Sequence, residues 1–353
     1  MKNIPVRLLR RLSAAAVAMF LIASPALADD TLTLILGART PALMNTLNLV
    51  AEGAGFYRDE HLTITRSSSN GALEAAQACS SGKIDICPIG IEPPITNYAD
   101  GIRLKMFLSR ASKFAYVIAV PEDSSVQSLA DLKGKDIGVH VINAAASGAF
   151  TTTSTLSLAG LKPTDYKLVP IGYEDQAADA LLSGKVAAAA FPYYEFIPFI
   201  VAGRKLRIFQ HPTLKDVPNT GYAAAPAVLM AKRDQLQRFS RAIVKASLFI
   251  HYNAAAAARL LLGADGKPFT PEDVQRKTAE LTAWQNELPA ANPDNQRIGA
   301  FSLEGVQRYI QLLADSGVIK AVMPASEVVT DEFIKFANDF DHGAVKKLAQ
   351  SMH

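Results

Sequence analysis

Two stretches of the chain repeat one pattern of apolar and polar positions. The first runs from a helical segment, residues 72–80, through Ser81-Gly82-Lys83 into residues 84–89, apolar apart from Asp85. The second runs from residues 174–183 through Gly184-Lys185 into Val186 and an alanine run. In each, a helical period gives way to a short apolar run, which predicts a helix followed by a buried strand. Gly after the helical run supplies the positive φ that ends it, and Lys sits near the helix's negative end. One copy is an ordinary connection; two copies about a hundred residues apart predict two similar α/β halves.

The rest of the pattern fits that reading. Strands are predicted at residues 31–36, 62–66, 104–108, 116–120, 136–140, 166–171, 206–209 and 227–230. Helices are predicted at 42–54, 128–132 and 148–159 among them, and then at 235–262, 271–286, 303–316 and 331–338. Alternating strands and helices followed by helices imply mostly parallel sheets flanked by helices. No low-complexity linker separates the halves, so the chain is expected to cross between them on strands, near 116–120 outward and 222–230 returning.

Composition changes the picture at one end. Lys2, Arg7, Arg10 and Arg11 precede an apolar run, and Ala26-Leu27-Ala28 fits a small-x-small cleavage site. Residues 1–28 are read as a signal peptide cleaved after Ala28, which directs the chain to the periplasm. The leader holds four of the 36 Lys and Arg and none of the 33 Asp and Glu, so the mature chain is close to neutral. No basic field is left to steer nucleic acid, and no later stretch is apolar enough to insert in a membrane. With 353 residues, the chain can form two cores. Its expected division is 29–117 and 222–353 for one lobe and 118–221 for the other. Cys79 and Cys87 lie on a predicted helix and the strand after it. Such elements pack about 10 Å apart, which favours two buried thiols over a bridge.

The chain resembles a periplasmic substrate-binding protein of an ABC importer, in the sulfonate-, nitrate- and thiamine-precursor-binding group. The residues that carry this are Ala51-Glu52-Gly53-Ala54-Gly55-Phe56-Tyr57 before Leu62-Thr63-Ile64, and Leu129-Ala130-Asp131-Leu132-Lys133-Gly134-Lys135-Asp136-Ile137-Gly138-Val139. Both Ser-Gly-Lys copies and the segment from Gly305-Val306-Gln307 to Gly317-Val318-Ile319 complete the set. The resemblance implies the two-lobed, type II binding-protein fold: two α/β lobes, each a mostly parallel sheet flanked by helices, joined by two crossover strands. It implies a small-molecule ligand trapped between the lobes and handed to the importer's membrane permease subunits, with no cofactor. The group usually has Asp shortly after Gly in both copies; Asp85 keeps it and Ala187 replaces it, which points to a structural role for that Asp.

In open parallel sheets, ligands lie beyond the carboxyl ends of the strands. The loops there are 37–41, 67–71 and 89–93 in the first half, and 141–147, 172–174 and 191–195 in the second. Arg39 and Thr40, at a helix start, suit an anion, with the guanidinium as a fork; a solvated surface arginine is the other reading. Ser69, Asn70, Asn143 and Ser147 offer polar contacts from small-residue loops. Phe191, Tyr193 and Tyr194 place three rings beside Glu195, for stacking on a planar ligand or for packing. Glu92 occupies the matching first-half loop, and its plainer reading is an exposed rim carboxylate. Arg110 and Tyr222, near the crossovers, are weaker candidates, and Trp284 reads as packing. The six His show no metal-ligand spacing, and no nucleophile elbow or phosphate loop is present. Two alternatives share the fold: a cytosolic-type synthase of the thiamine pyrimidine, and a ligand-sensing subunit for a receptor.

Overall fold

The computed structural model describes residues 29–36, 45–69, 72–142, 147–172, 174–215 and 217–352. The expected signal peptide lies outside them. The strands among these residues are β1 (Asp30–Leu36), β2 (Leu62–Ser68), β3 (Cys87–Gly90), β4 (Lys105–Ser109), β5 (Tyr116–Pro121), β6 (Asp136–Val139), β7 (Lys167–Pro170), β8 (Ala188–Pro192), β9 (Leu206–Phe209) and β10 (Thr220–Ala224).

Their pairing yields one topology twice. β1 and β2 are parallel, and β10 runs antiparallel between β3 and β4. A parallel bridge from Leu34 to Ile86 ties β1 to the run entering β3, giving the order β2-β1-β3-β10-β4. The second sheet has the order β7-β6-β8-β5-β9, with β6 parallel to β7 and β8, and β5 antiparallel to β8 and β9. In each sheet the antiparallel strand belongs to a crossing of the chain: β5 arrives from the first half, and β10 returns to it. This is a two-lobed fold with two crossover strands. Both Ser-Gly-Lys turns lead into the third parallel strand of their sheet, and both glycines adopt positive φ, 74° at Gly82 and 76° at Gly184. An L-residue is strained there, which is why glycine ends each helix.

Asp85 serves the scaffold. Its Oδ2 accepts from Thr33 N at 2.8 Å and from Thr33 Oγ1 at 3.0 Å, while Oδ1 lies 2.7 Å from Lys232 Nζ. The helix Arg233–Tyr252 covers the first sheet. Its Phe239 meets the rings of Tyr57, Phe107 and Tyr222 at centroid distances of 5.9, 6.3 and 5.0 Å. Cys79 and Cys87 are free, buried thiols. Burial raises the Cys87 pKa well above its ordinary value, and a hydrogen bond with Cys79 adds to it.

Three expectations need correction. The strand expected at 227–230 is a helix, Pro226–Ala231, with Pro at its start where the missing N–H costs nothing; the sheet strand is β10, five buried residues just before it. The helix expected at 235–262 breaks at Asn253, which takes φ −152°, accepts from Ala256 N at 2.9 Å and caps a second helix, Ala254–Gly263. Residues 331–338 hold only a short helix, Ile334–Ala337, and the last helix, His342–Ser351, begins from Asp341, whose carboxylate accepts from Gly343 N and Ala344 N. No helix among the described residues is long and apolar enough to cross a membrane.

Candidate functional site

The carboxyl ends of the parallel strands meet between the sheets, and the first contact there is made by Glu92. It follows β3 and opens the short helix Glu92–Thr96, which packs on the helix Ser147–Leu158 that comes after β6. Glu92 is not on an exposed rim: it is fully buried. A short helix turned inward from β3, against a neighbouring helix, removes it from water. Its Oε1 accepts from Asn219 Nδ2 at 3.0 Å and from the Tyr309 hydroxyl at 2.9 Å. Its Oε2 has no hydrogen-bond partner among the described residues. Ser147 is nevertheless beside it: a Cβ on Gly90 would lie 2.5 Å from Oε2 and 2.7 Å from Ser147 Oγ. Only glycine at position 90 leaves room for the two side chains to approach. Burial pushes the Glu92 carboxyl up from its ordinary pKa, and the donors of Asn219 and Tyr309 and its own backbone oppose that rise.

Asn219, which the sequence reading did not single out, joins this site to the crossovers. It is fully buried, and its Oδ1 accepts from Ala115 N at 2.8 Å. Just beyond, a water-sized cavity (≈ 10 Å³) is lined by Arg110, Tyr193, Tyr194, Thr220, Trp284 and Glu287, among others. Arg110 directly follows β4; its backbone N donates to Thr220 O at 3.0 Å, and its guanidinium lies 5.7 Å from the centroid of the Tyr222 ring. Burial raises the Tyr222 pKa to about 12, opposed by Arg110 and Asn48. Glu287 is 3.6 Å from Lys113 Nζ; burial raises its pKa and Lys113 pulls it back.

The rings do not form one loop. Phe191 and Pro192 end β8 and a helix, Tyr193–Val201, starts at once, so strand alternation and helical rotation send the three rings apart. Phe191 faces the second lobe's core and stacks on His140, with centroids 4.1 Å apart and planes 15° apart. Tyr194 packs edge-on against Trp284, at 5.7 Å and 62°. Tyr193 lines the cavity and is partly exposed. Glu195 meets His140, Oε2 to Nε2, at 2.7 Å. His140 was legible only by its place at the end of a predicted strand. Ser69 donates its hydroxyl to Leu36 O at 3.1 Å and so secures the end of β1. Arg39, Thr40, Asn70 and Asn143 lie outside the described residues. Among those described, no group of three or more His, Cys, Asp or Glu is placed to hold a metal.

Two matching sheets joined by two crossover strands, with polar groups gathered at their facing ends, define the periplasmic binding-protein fold. The family described as NMT1/THI5 like matches residues 45–257, and the chain belongs to that family. A protein from Bordetella bronchiseptica RB50 superposes with a TM-score of 0.66 at 22% identity, covering 88% of this chain and 97% of that one. The alkanesulfonate-binding protein SsuA from Xanthomonas axonopodis pv. citri, bound to MOPS, gives 0.61 at 18% identity, covering 85% and 98%. The desulfurization enzyme DszB gives 0.55 at 16% identity, covering 87% and 98%. A comparison with curated proteins found no match.

Proposed function

We propose that the chain is an extracytoplasmic solute-binding protein. It traps a small organic ligand between its lobes and delivers it to the permease subunits of an ABC importer. The ligand is anionic, ring-containing or both: a sulfonate, a pyrimidine or an aromatic acid. Lobe one comprises residues 29–117 and 222–353, lobe two residues 118–221, and the leader 1–28 sends the mature protein to the periplasm. The observation that carries this reading is the convergence of Arg110, Tyr193 and Glu287, from three separate segments, on one crevice between the facing strand ends. Arg110 supplies charge for an acid group, and Tyr193 an edge or hydroxyl for a ring. Arg39, Thr40, Ser69, Asn70, Glu92, Asn143, Ser147, Tyr194 and Glu195 complete the proposed ligand surface or support it. Contacts made by both lobes exist only when the cleft is shut, so ligand shifts the population toward the shut form.

DszB makes an enzyme the rival reading. The only cysteines of this chain are fully buried in the first lobe's core, away from the crevice, so no cysteine thiol is offered there. A thermal-shift screen against sulfonates, pyrimidines, nitrate-like anions and aromatic acids tests the binding reading, since ligand at 100 times its Kd adds about 2.7 kcal/mol. Scattering with the best ligand should show a smaller radius of gyration. An unchanged radius with a tight ligand would refute the hinge, and a ligand recovered chemically altered would replace binding by catalysis.

A further inference from the structure

The seam between the lobes contains a carboxyl group that, among the described residues, has no cation bound to it. Glu92 is fully buried, and the polar groups facing it come from three elements packed around it. They are Asn219 from the segment before β10, Tyr309 from the helix Leu303–Asp315, and Ser147 from the helix Ser147–Leu158. Behind Tyr309 stand Ser154, from that same helix of the second lobe, and Tyr116 of β5. Among the described residues, none of these groups is positively charged. A buried carboxylate normally needs a cation or a full set of donors, because removal from water disfavours the charged form. Here Oε1 takes two donors, and Oε2 faces Ser147 Oγ without a completed bond. A proton on Oε2 resolves that arrangement. Oε1 becomes the carbonyl oxygen, accepting twice, and Oε2–H gains Ser147 Oγ as its acceptor.

We propose that Glu92 enters the seam as a neutral carboxylic acid, so that bringing the lobes together takes up one proton and separating them releases it. The inference rests on the two-lobed hinge of the proposed function, and it makes the shut form acid-favoured. The direction follows from linkage. A group that binds its proton more tightly in one state stabilises that state as pH falls, and the stabilisation is lost as pH rises through the raised value. Burial, the first cause of the upward shift at Glu92, acts in this direction.

The chain holds its own reporter. Trp284 is its only tryptophan, and it packs on Tyr194 from the second lobe, so its emission follows the contact between lobes. The experiment titrates the ligand-free mature protein from pH 5 to pH 9 and reads Trp284 emission and the radius of gyration together. The wild type should open with rising pH in a single-proton transition above the usual carboxylate range. Glu92→Gln, a permanent neutral mimic, should stay shut across the range. Ser147→Ala, which removes the acid's acceptor, should move the transition to lower pH. A wild type with no transition overturns the proposal, as does a Glu92→Gln variant that opens like the wild type or a transition unmoved in Ser147→Ala. Because no ligand is added, failure here leaves the solute-binding reading standing, and a failed ligand screen leaves the titration interpretable.

Discussion

Replacing Asp85 by Ala should destabilise the first lobe without touching ligand affinity. The carboxylate accepts two hydrogen bonds from Thr33, at 2.8 and 3.0 Å, inside the sheet, and Thr33 Oγ1 accepts from the Asp85 N–H at 3.0 Å. Hydrogen bonds to a charged acceptor contribute about 1.5–3 kcal/mol each, and a buried N–H left unpaired costs about 1–3 kcal/mol. These overlap, because losing the acceptor and stranding the donor are one event. The Lys232 ammonium is 37% exposed, so the ion pair adds at most about 1 kcal/mol. The expected loss is therefore about 3 kcal/mol. Asp85→Asn keeps an acceptor for the Thr33 N–H and loses only charge, so about 1–1.5 kcal/mol should go. Urea unfolding of wild type, Asp85→Asn and Asp85→Ala should give midpoints falling in that order. The reasoning is refuted if Asp85→Ala unfolds within about 0.5 kcal/mol of wild type, or if it loses affinity while its stability is kept.

Tyr193→Ala should weaken binding of a ligand found by the screen by about 1–3 kcal/mol with little effect on melting. Tyr194→Ala should instead lower the melting temperature, because its ring packs on Trp284, at a cost of about 2–4 kcal/mol; equal effects on affinity would merge the two roles. Gly90→Ala should separate Glu92 from Ser147, since its Cβ would lie 2.5 Å from Oε2, and an overpacked site of this kind costs about 1–3 kcal/mol by chemical denaturation. Glu60→Gln should cost about 3–5 kcal/mol, because the buried carboxylate holds Arg241 at 2.8 and 2.7 Å and Lys245 at 2.6 Å; an unshifted denaturation midpoint would contradict this.

Much of the fold was legible because its signals are local. The helix Ala72–Ser80 and the strand at 206–209 needed only apolar period and turn chemistry, and each Ser-Gly-Lys turn announced its own positive φ. The strand at 220–224 escaped because Thr220-Gly221-Tyr222-Ala223-Ala224 has few β-branched residues. Its place is fixed by pairing with β3 and β4, more than a hundred residues away. Sites suffered more. His140 and Glu195 are 55 positions apart, and Glu92, Asn219 and Tyr309 come from three distant segments. Residue type identified Glu92 as a candidate, but its burial depends on helices that sequence spacing does not position.

The missing Asp at Ala187 has a physical reason that joins these levels. Leu34 bridges Ile86 in the first sheet as Ile137 pairs with Ala188 in the second, so Asp136 is the register counterpart of Thr33. The first lobe thus sets a hydroxyl on its first strand and a carboxylate on the turn, whereas the second sets the carboxylate on the strand. An Asp at 187 would bring two like charges to neighbouring chains, at a point where Ala187 N already donates to Asp136 O at 2.9 Å. Ala187→Asp should therefore be destabilising where Asp85 is stabilising. The same inequality runs through the cleft. The first lobe brings a cation at Arg110 and a buried acid at Glu92; the second brings a hydroxyl at Ser147, a ring at Tyr193 and the His140–Glu195 pair. On the solute-binding reading, two lobes of one topology can hold the two unlike ends of one ligand, because the matched strand order fixes where the strand ends meet and leaves the side chains at those ends free to differ.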